Sequence, residues 1–137
     1  MIICSYEHAT GEFTWAKSGH EPPIMAGQPD RDEEPATPLG FGLGDTWPQF
    51  SRFLESGERV CLFTDGLIEA RRHGEQLGRA HLRSLVEQNL TAQALVQRIE
   101  TDADECSDDL AAVVITRAVL VDDIVADPTD DREAATV

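Results

Sequence analysis

Short runs of apolar residues alternate with polar turns over the first half of the chain and predict β-strands. Ile2–Glu7 and Phe13–Ala16 flank a loop that contains Gly11, which is the pattern of a β-hairpin. Phe50–Leu54 and Arg59–Thr64 predict a second hairpin. The return strand of this second hairpin is apolar on both faces, so we expect it to lie inside a sheet.

Helical spacing of apolar residues predicts two amphipathic helices in the second half, with Thr91 placed to cap the second. The residues that carry this pattern are Leu82, Leu85, Val86 and Leu90 in the first helix and Ala92, Leu95, Val96, Ile99 and Ala103 in the second. Leu110–Ile115 is an uninterrupted apolar run after these helices. It predicts a last strand in the centre of a sheet.

Composition and charge then restrict the class of protein. The 137 residues, 41% of them hydrophobic, suit one globular domain, which we assign to residues 1–118. Residues 119–137 form an acidic tail that we expect to be solvated and flexible. The net charge of −15 repels nucleic acid and anionic lipid, so we expect neither nucleic acid nor membrane as a partner.

The three cysteines, Cys4, Cys61 and Cys106, are far apart and indicate neither a disulfide framework nor a zinc site. Cys4 and Cys61 lie in apolar strands, so we expect both thiols to be buried. No stretch approaches the ~20 apolar residues of a membrane span, and the sequence predicts a cytoplasmic protein.

Two acidic clusters at strand ends are the candidate site. Asp65 follows the apolar run Val60–Phe63 and Thr64, and it precedes Gly66; Asp108 and Asp109 precede the last apolar strand. Asp-Gly alone is typical of hairpin turns. Two carboxylate clusters that converge at strand ends would, however, favour Mg²⁺ or Mn²⁺ over zinc, because these ions prefer oxygen ligands.

Seven motifs occur in an order that resembles the metal-dependent Ser/Thr protein phosphatases of the PPM superfamily, in the SpoIIE and RsbU branch. They are Ala9–Ala16, Ser18–Pro23, Pro38–Gly40, Gly57–Val60, Phe63–Ala70, Gly74–Gly78 and Asp108–Leu110. The resemblance covers residues 6 to 117 and implies an α+β fold, a β-sandwich with helices on both outer faces in α-β-β-α layers. It also implies a two-metal site at one end of the sandwich.

By position in these motifs, Asp65 and Asp108 are the expected ligands of Mn²⁺ or Mg²⁺ and the expected catalytic residues. The resemblance implies that the metals activate a bridging water for in-line attack on a phosphoserine or phosphothreonine. Asp109 is expected to orient Asp108 or the adjacent backbone. Gly66 is expected because a side chain there would crowd the site.

Members of this family carry an upstream Gly-Asp-x-Ser-Gly-His-Gly-like segment whose aspartate bridges both metals, and nothing in this chain matches it. We therefore expect an N-terminally truncated sandwich that holds at most one ion, weakly, in place of two. Unpaired strand edges would favour a homo-oligomer or aggregation. Sedimentation that shows a compact, stable monomer would contradict this expectation.

Two functions remain open from the sequence. The first is a phosphatase segment whose intact form acts on a phosphorylated anti-anti-sigma-factor-like protein in bacterial stress or developmental signalling, a substrate that family analogy suggests. The second is a catalytically inactive remnant that serves as a protein-binding or scaffolding module. His20 is a candidate proton donor, although a histidine between Gly19 and the Pro22-Pro23 turn more often fixes its loop through the backbone.

Overall fold

The computed structural model describes residues 1–29, 36–41 and 46–118, so the predicted tail at 119–137 lies outside the described residues. The strands are β1 (Ile2–Glu7), β2 (Glu12–Lys17), β3 (Ile24–Met25), β4 (Gln49–Phe53), β5 (Arg59–Phe63), β6 (Arg71–Arg72), β7 (Glu75–Gln76) and β8 (Ala112–Thr116). The helices are α1 (Gly66–Glu69), α2 (Gly78–Glu87) and α3 (Ala92–Asp102). None of the helices in these ranges is long and apolar enough to cross a bilayer.

Two three-stranded antiparallel sheets form the centre of the fold. Sheet A has the order β1-β2-β4 and sheet B the order β3-β5-β8, while β6 and β7 form a separate two-stranded ribbon. The first hairpin is confirmed, with Cys4 opposite Trp15 and Tyr6 opposite Phe13. Because side chains alternate along a strand, these four residues lie on one face of sheet A.

The predicted second hairpin is wrong. Strand β4 pairs with β2 in sheet A, whereas β5 pairs with β3 and β8 in sheet B. Residues 54–58 therefore carry the chain from one sheet to the other, and Leu54 is buried where it crosses. A connection of this length can close a hairpin or join facing sheets about 10 Å apart, and the apolar pattern does not distinguish the two.

Strand β5 is the central strand of sheet B, as predicted, and it separates two apolar cores. The core between the sheets is built from Phe13, Trp15, Met25, Leu54, Val60 and Leu62. The core between sheet B and the helices is built from Ile24, Cys61, Phe63, Leu67, Ala70, Leu82, Leu85, Val86, Leu95 and Ile99. The layers are thus sheet A, sheet B and the helices. Both predicted helices are confirmed. The predicted Thr91 cap is also confirmed, because its hydroxyl accepts a hydrogen bond from the amide of Ala94 at 3.2 Å.

The prediction that the last strand is central is wrong for the part of the chain that is described. Strand β8 pairs only with β5 and forms an edge of sheet B, and Val113 is 56% exposed. Val114 and Ala112 pack against the helix-side core, whereas Ile115 packs against the core between the sheets. The run is apolar on both faces because it has layers on both sides, and not because it has two neighbouring strands.

Of the two thiols predicted to be buried, only Cys61 is buried; Cys4 is exposed. The prediction for Cys4 failed because β1 is an edge strand whose residues are half-buried or exposed in this structure. Burial raises the pKa of the Cys61 thiol to about 11, although the positive charges of Arg59 and Arg79 oppose the shift. Cys61 is therefore protonated and unreactive at neutral pH.

Arg59, at the start of β5, is a buried cation that joins sheet B to the end of α2. Its guanidinium donates hydrogen bonds to the carbonyl oxygens of Val86 and Leu90, to Asn89 Oδ1 and to Thr116 Oγ1. Cations are favourable at a helix C-terminus, where carbonyl groups lack partners within the helix. Burying a charged group costs free energy unless the group is hydrogen-bonded, and these four acceptors satisfy the Arg59 donors.

Asp102 links the two long helices. Its carboxylate accepts hydrogen bonds from Arg98 Nε at 2.9 Å and 3.0 Å, and it lies 3.0 Å from His81 Nε2 on α2. The hydrogen bond from Arg98 is the main reason why the pKa of Asp102 is below its usual range; burial opposes it and His81 adds to it.

We expect Asp102→Asn to lower the thermal midpoint at about pH 7. Ionised Asp102 stabilises the fold above the ordinary Asp pKa of about 3.9, and this contribution is lost as the pH falls through the lowered folded-state pKa. The difference between the variant and the wild type should therefore shrink in acid and vanish below both pKa values. Melting curves at several pH values test this, with Glu100→Gln on the exposed face of α3 as the control; a difference that persists unchanged in acid would contradict it.

Candidate active site

The first acidic segment leaves the end of β5. All five residues of β5 are buried, whereas Asp65 directly after Thr64 is exposed. Asp65 occupies the N-cap position of α1, but its side chain makes no capping hydrogen bond. Its backbone carbonyl instead accepts from the amides of Ile68 and Glu69, both at 2.9 Å. The short helix thus fixes the Asp65 backbone and leaves its carboxylate available for another partner.

Thr64 joins this segment to the second acidic segment. Thr64 Oγ1 donates to the carbonyl oxygen of Asp109 at 2.7 Å and accepts from the amide of Ala111 at 3.0 Å. The backbone amide of Thr64 also donates to the carbonyl of Ala111 at 3.0 Å. Sequence analysis missed this role of Thr64, because a threonine at a strand end gives no signal for a partner 45 residues away.

Asp108 and Asp109 interact with each other through a local hydrogen bond. The backbone amide of Asp109 donates to Asp108 Oδ1 at 2.7 Å. Asp109 therefore restricts the Asp108 carboxylate through its backbone, while its own carbonyl is held by Thr64.

Gly66 allows the two segments to touch. A Cβ atom at this position would lie 2.6 Å from the carbonyl oxygen of Asp109 and 3.3 Å from the carbonyl carbon of Asp108. Both atoms belong to the backbone, so a flexible side chain could not relieve the contact. A side chain at position 66 would therefore crowd the main chain of Asp108 and Asp109.

We expect Gly66→Ala to destabilise the protein by about 1–3 kcal/mol, because the added methyl group must push the Asp108–Asp109 backbone away. The same displacement should weaken Mn²⁺ binding. Urea denaturation measures the first effect and calorimetric titration with Mn²⁺ the second. An alanine variant that unfolds at the wild-type urea concentration would show that the two segments are not in the contact described.

A cleft of about 500 Å³ lies beside the end of β5. Its lining residues are Lys17, Gly19, His20, Glu21, Pro22, Ala36, Thr64 and Asp65. The cleft therefore contains Asp65 and, of the residues that are described, does not contain Asp108. One wall is the loop after β2 and the other is the end of β5.

His20 lies in this cleft, and its Nδ1 is 2.9 Å from the carbonyl oxygen of Glu21. A ring nitrogen that donates to this carbonyl fixes the loop, which is the more ordinary of its two predicted roles.

The oxygen donors of Asp65 and Asp108 suit Mg²⁺ or Mn²⁺ in chemistry, but they fill only part of a coordination shell. In residues 1–29, 36–41 and 46–118 there is no group of three or more His, Cys, Asp or Glu side chains that could hold a metal ion. These cations prefer about six oxygen ligands. Any ion at Asp65 and Asp108 would take its remaining ligands from water, from backbone carbonyl groups or from a segment outside the described ranges.

Comparison with known proteins identifies the family of this chain. The Stage II sporulation protein E (SpoIIE) family matches residues 1–118. Phosphoserine phosphatase RsbU of Bacillus subtilis is 30% identical over 130 residues, which are 87% of this chain and 39% of the relative. The chain therefore spans well under half the length of that relative.

Solved structures show the same fold. The crystal structure of the RsbU and RsbW domains of a Mycobacterium tuberculosis protein gives a TM-score of 0.64 at 27% identity, covering 86% of this chain and 36% of that one. The manganese-soaked phosphatase domain of SpoIIE from Bacillus subtilis gives 0.60 at 16% identity, covering 86% and 56%. RsbX in complex with magnesium gives 0.60 at 15% identity, covering 84% and 54%.

The family match over residues 1–118 and the similarity to these phosphatase relatives place the chain in the class of the PPM-type protein phosphatases. The chain belongs to the SpoIIE family, in the branch that includes the phosphoserine phosphatase RsbU.

Proposed function

We propose that this chain contributes Asp65 and Asp108 to the metal site of a Mn²⁺- or Mg²⁺-dependent phosphoserine/phosphothreonine protein phosphatase. The observation that carries the proposal is the junction of the two acidic strand ends by Thr64 and Gly66. A bound divalent cation supplies a water of lowered pKa and neutralises phosphoryl oxygens. Asp65 and Asp108 would hold the cation, Asp109 would fix Asp108, and the cleft beside Asp65 would receive the phosphorylated side chain.

We propose further that the substrate is a phosphorylated regulator resembling an anti-anti-sigma factor, in a cytoplasmic signalling system. The relatives named above support this class, since one is a phosphoserine phosphatase and another combines RsbU and RsbW domains. The net charge of −15 attracts divalent cations and repels a phosphate that lacks a counter-ion. Binding of the phosphoprotein should therefore depend on the metal.

A second candidate function is a protein-binding or scaffolding module without catalysis. It is favoured by the incomplete metal shell in the described residues. Such a module needs no metal, because its partner would be held by the surface that the family uses for substrate.

Calorimetric titration with Mn²⁺ and hydrolysis of p-nitrophenyl phosphate and a phosphoserine peptide separate the two functions. The phosphatase predicts heat of binding and hydrolysis that requires Mn²⁺ and stops on chelation. The scaffold predicts no heat above the buffer background and no metal-dependent hydrolysis, and this result would overturn the first proposal.

A further inference from the structure

Arg79, near the start of α2, contacts the loop that forms one wall of the cleft beside Asp65, and it also contacts Phe63, which directly precedes the residues of the other wall. On one wall its guanidinium donates to the carbonyl oxygens of Pro22 at 2.9 Å and Pro23 at 3.2 Å. The Glu21 carboxylate, which belongs to the same loop, lies 3.6 Å from Arg79 Nη1. Arg79 therefore binds the loop after β2 through two backbone carbonyl groups and through the carboxylate of Glu21.

On the side of the other wall, Arg79 contacts Phe63, which directly precedes the lining residues Thr64 and Asp65. The Arg79 guanidinium carbon lies 5.3 Å from the centre of the Phe63 ring, within the range of a cation–π interaction. Phe63 is buried and is the last residue of β5, two residues before Asp65. One side chain therefore ties the cleft loop to the strand end that carries the acidic residue.

The guanidinium is suited to this role by its shape. Its planar fork can donate to two neighbouring carbonyl groups while its face rests on an aromatic ring, and a lysine ammonium cannot do both in the same geometry. The pair Pro22-Pro23 has no backbone amide to donate, so this part of the loop cannot be held by amides of its own. Its carbonyl oxygens are the groups that remain for an external donor.

We infer that Arg79 is a positioning residue that sets the separation of the two cleft walls, and thereby the placement of His20 and Glu21 opposite Asp65. The inference rests on the proposed function only in taking this cleft as the place where the phosphorylated side chain binds. The contacts that carry this inference are those of Arg79 with the loop carbonyls of Pro22 and Pro23 and with the Phe63 ring.

Arg83 on the same helix provides a matched control. It donates to the carbonyl oxygen of Met25, at the end of β3, at 3.1 Å and to that of Gln28, just after β3, at 2.5 Å. Neither of these carbonyl groups belongs to a residue that lines the cleft. Arg83→Met removes an equal charge and a pair of hydrogen bonds to backbone carbonyl groups from the same helix.

Amide hydrogen exchange of Arg79→Met, Arg79→Lys and Arg83→Met, in the absence of metal, tests the inference. In Arg79→Met we expect exchange at Gly19, Thr64 and Leu67 to accelerate about tenfold, because the hydrogen bonds to the loop carbonyls and the cation–π contact with Phe63 are both lost. Exchange in the core of β5, at Val60 and Leu62, should not change. Arg79→Lys should restore part of the protection, and Arg83→Met should leave the three amides near wild type.

Equal acceleration at the core amides would show that Arg79 is a merely structural residue, and unchanged exchange at Gly19 and Thr64 would overturn the inference directly. If Arg79→Met does not fold, the exchange rates of the same amides are compared between Arg79→Lys and Arg83→Lys. A second arm measures p-nitrophenyl phosphate hydrolysis with Mn²⁺, in which kcat/KM should fall about tenfold in Arg79→Met and remain in Arg83→Met. If the wild type does not hydrolyse p-nitrophenyl phosphate, only the proposed function is contradicted, because amide hydrogen exchange still tests the role of Arg79.

Discussion

Asp65→Asn should reduce Mn²⁺-dependent hydrolysis of a phosphoserine peptide at least about 100-fold. Loss of a residue that only supports a metal ligand costs about 10–100-fold, and a ligand itself should cost no less. The amide keeps the size of the side chain but is a weaker and uncharged donor. Because the Asp65 side chain caps no helix amide, the substitution should leave the fold intact.

The matched variants are Asp108→Asn and Glu100→Gln. Asp108→Asn should lose activity as Asp65→Asn does, and the double variant should be no worse than either single one, since both would remove ligands of one site. Glu100→Gln removes an equal charge from the exposed face of α3 and should keep the wild-type rate. Equal rates in Asp65→Asn and the wild type would show that the site is elsewhere.

Arg59→Met should destabilise the protein by about 3 kcal/mol. Methionine fills most of the space of the arginine stem, but it removes the guanidinium donor from the carbonyl oxygen of Leu90, and it leaves the Val86 carbonyl with the amide of Asn89 at 3.3 Å. Hydrogen bonds from charged groups contribute about 1.5–3 kcal/mol, and a buried acceptor that loses its donor keeps the cost of its desolvation. The residue is only 7% exposed, so water would not readily replace the lost donors.

Urea denaturation followed by circular dichroism measures this effect, with Arg72→Met as the control. Arg72 is exposed, and its loss should change the free energy of unfolding by no more than about 0.5 kcal/mol. Arg59→Lys keeps the charge with fewer donors and should lie between the two. An Arg59→Met protein as stable as the Arg72→Met protein would mean that the link between β5 and α2 contributes nothing to stability.

Local patterns predicted those features that depend on neighbouring residues. The continuous apolar run from Val60 followed by Asp65-Gly66 predicted a buried strand that ends at an exposed carboxylate, and the Thr91 cap followed from helical spacing. These features are set within a few residues, where periodicity and capping chemistry act. The roles of Asp65 and Asp108 as metal ligands stay predictions.

Strand partners and long-range contacts could not be predicted in the same way. The apolar pattern of β8 depends on the layers that pack on its two faces, and it does not indicate which strands pair with β8. Arg79 meets Pro22 across 57 residues, and Thr64 meets Asp109 across 45. In both cases the partner is a backbone carbonyl, which every residue possesses, so no residue type marks the contact in advance.

The unequal exposure of the three thiols makes selective chemical labelling possible without substitution of any cysteine. A maleimide dye should modify Cys4 and Cys106, which are exposed, and leave Cys61 unmodified because that thiol is buried and protonated. Cys106 lies two residues before Asp108. A fluorophore at this position would therefore report directly on the loop that is proposed to hold the cation.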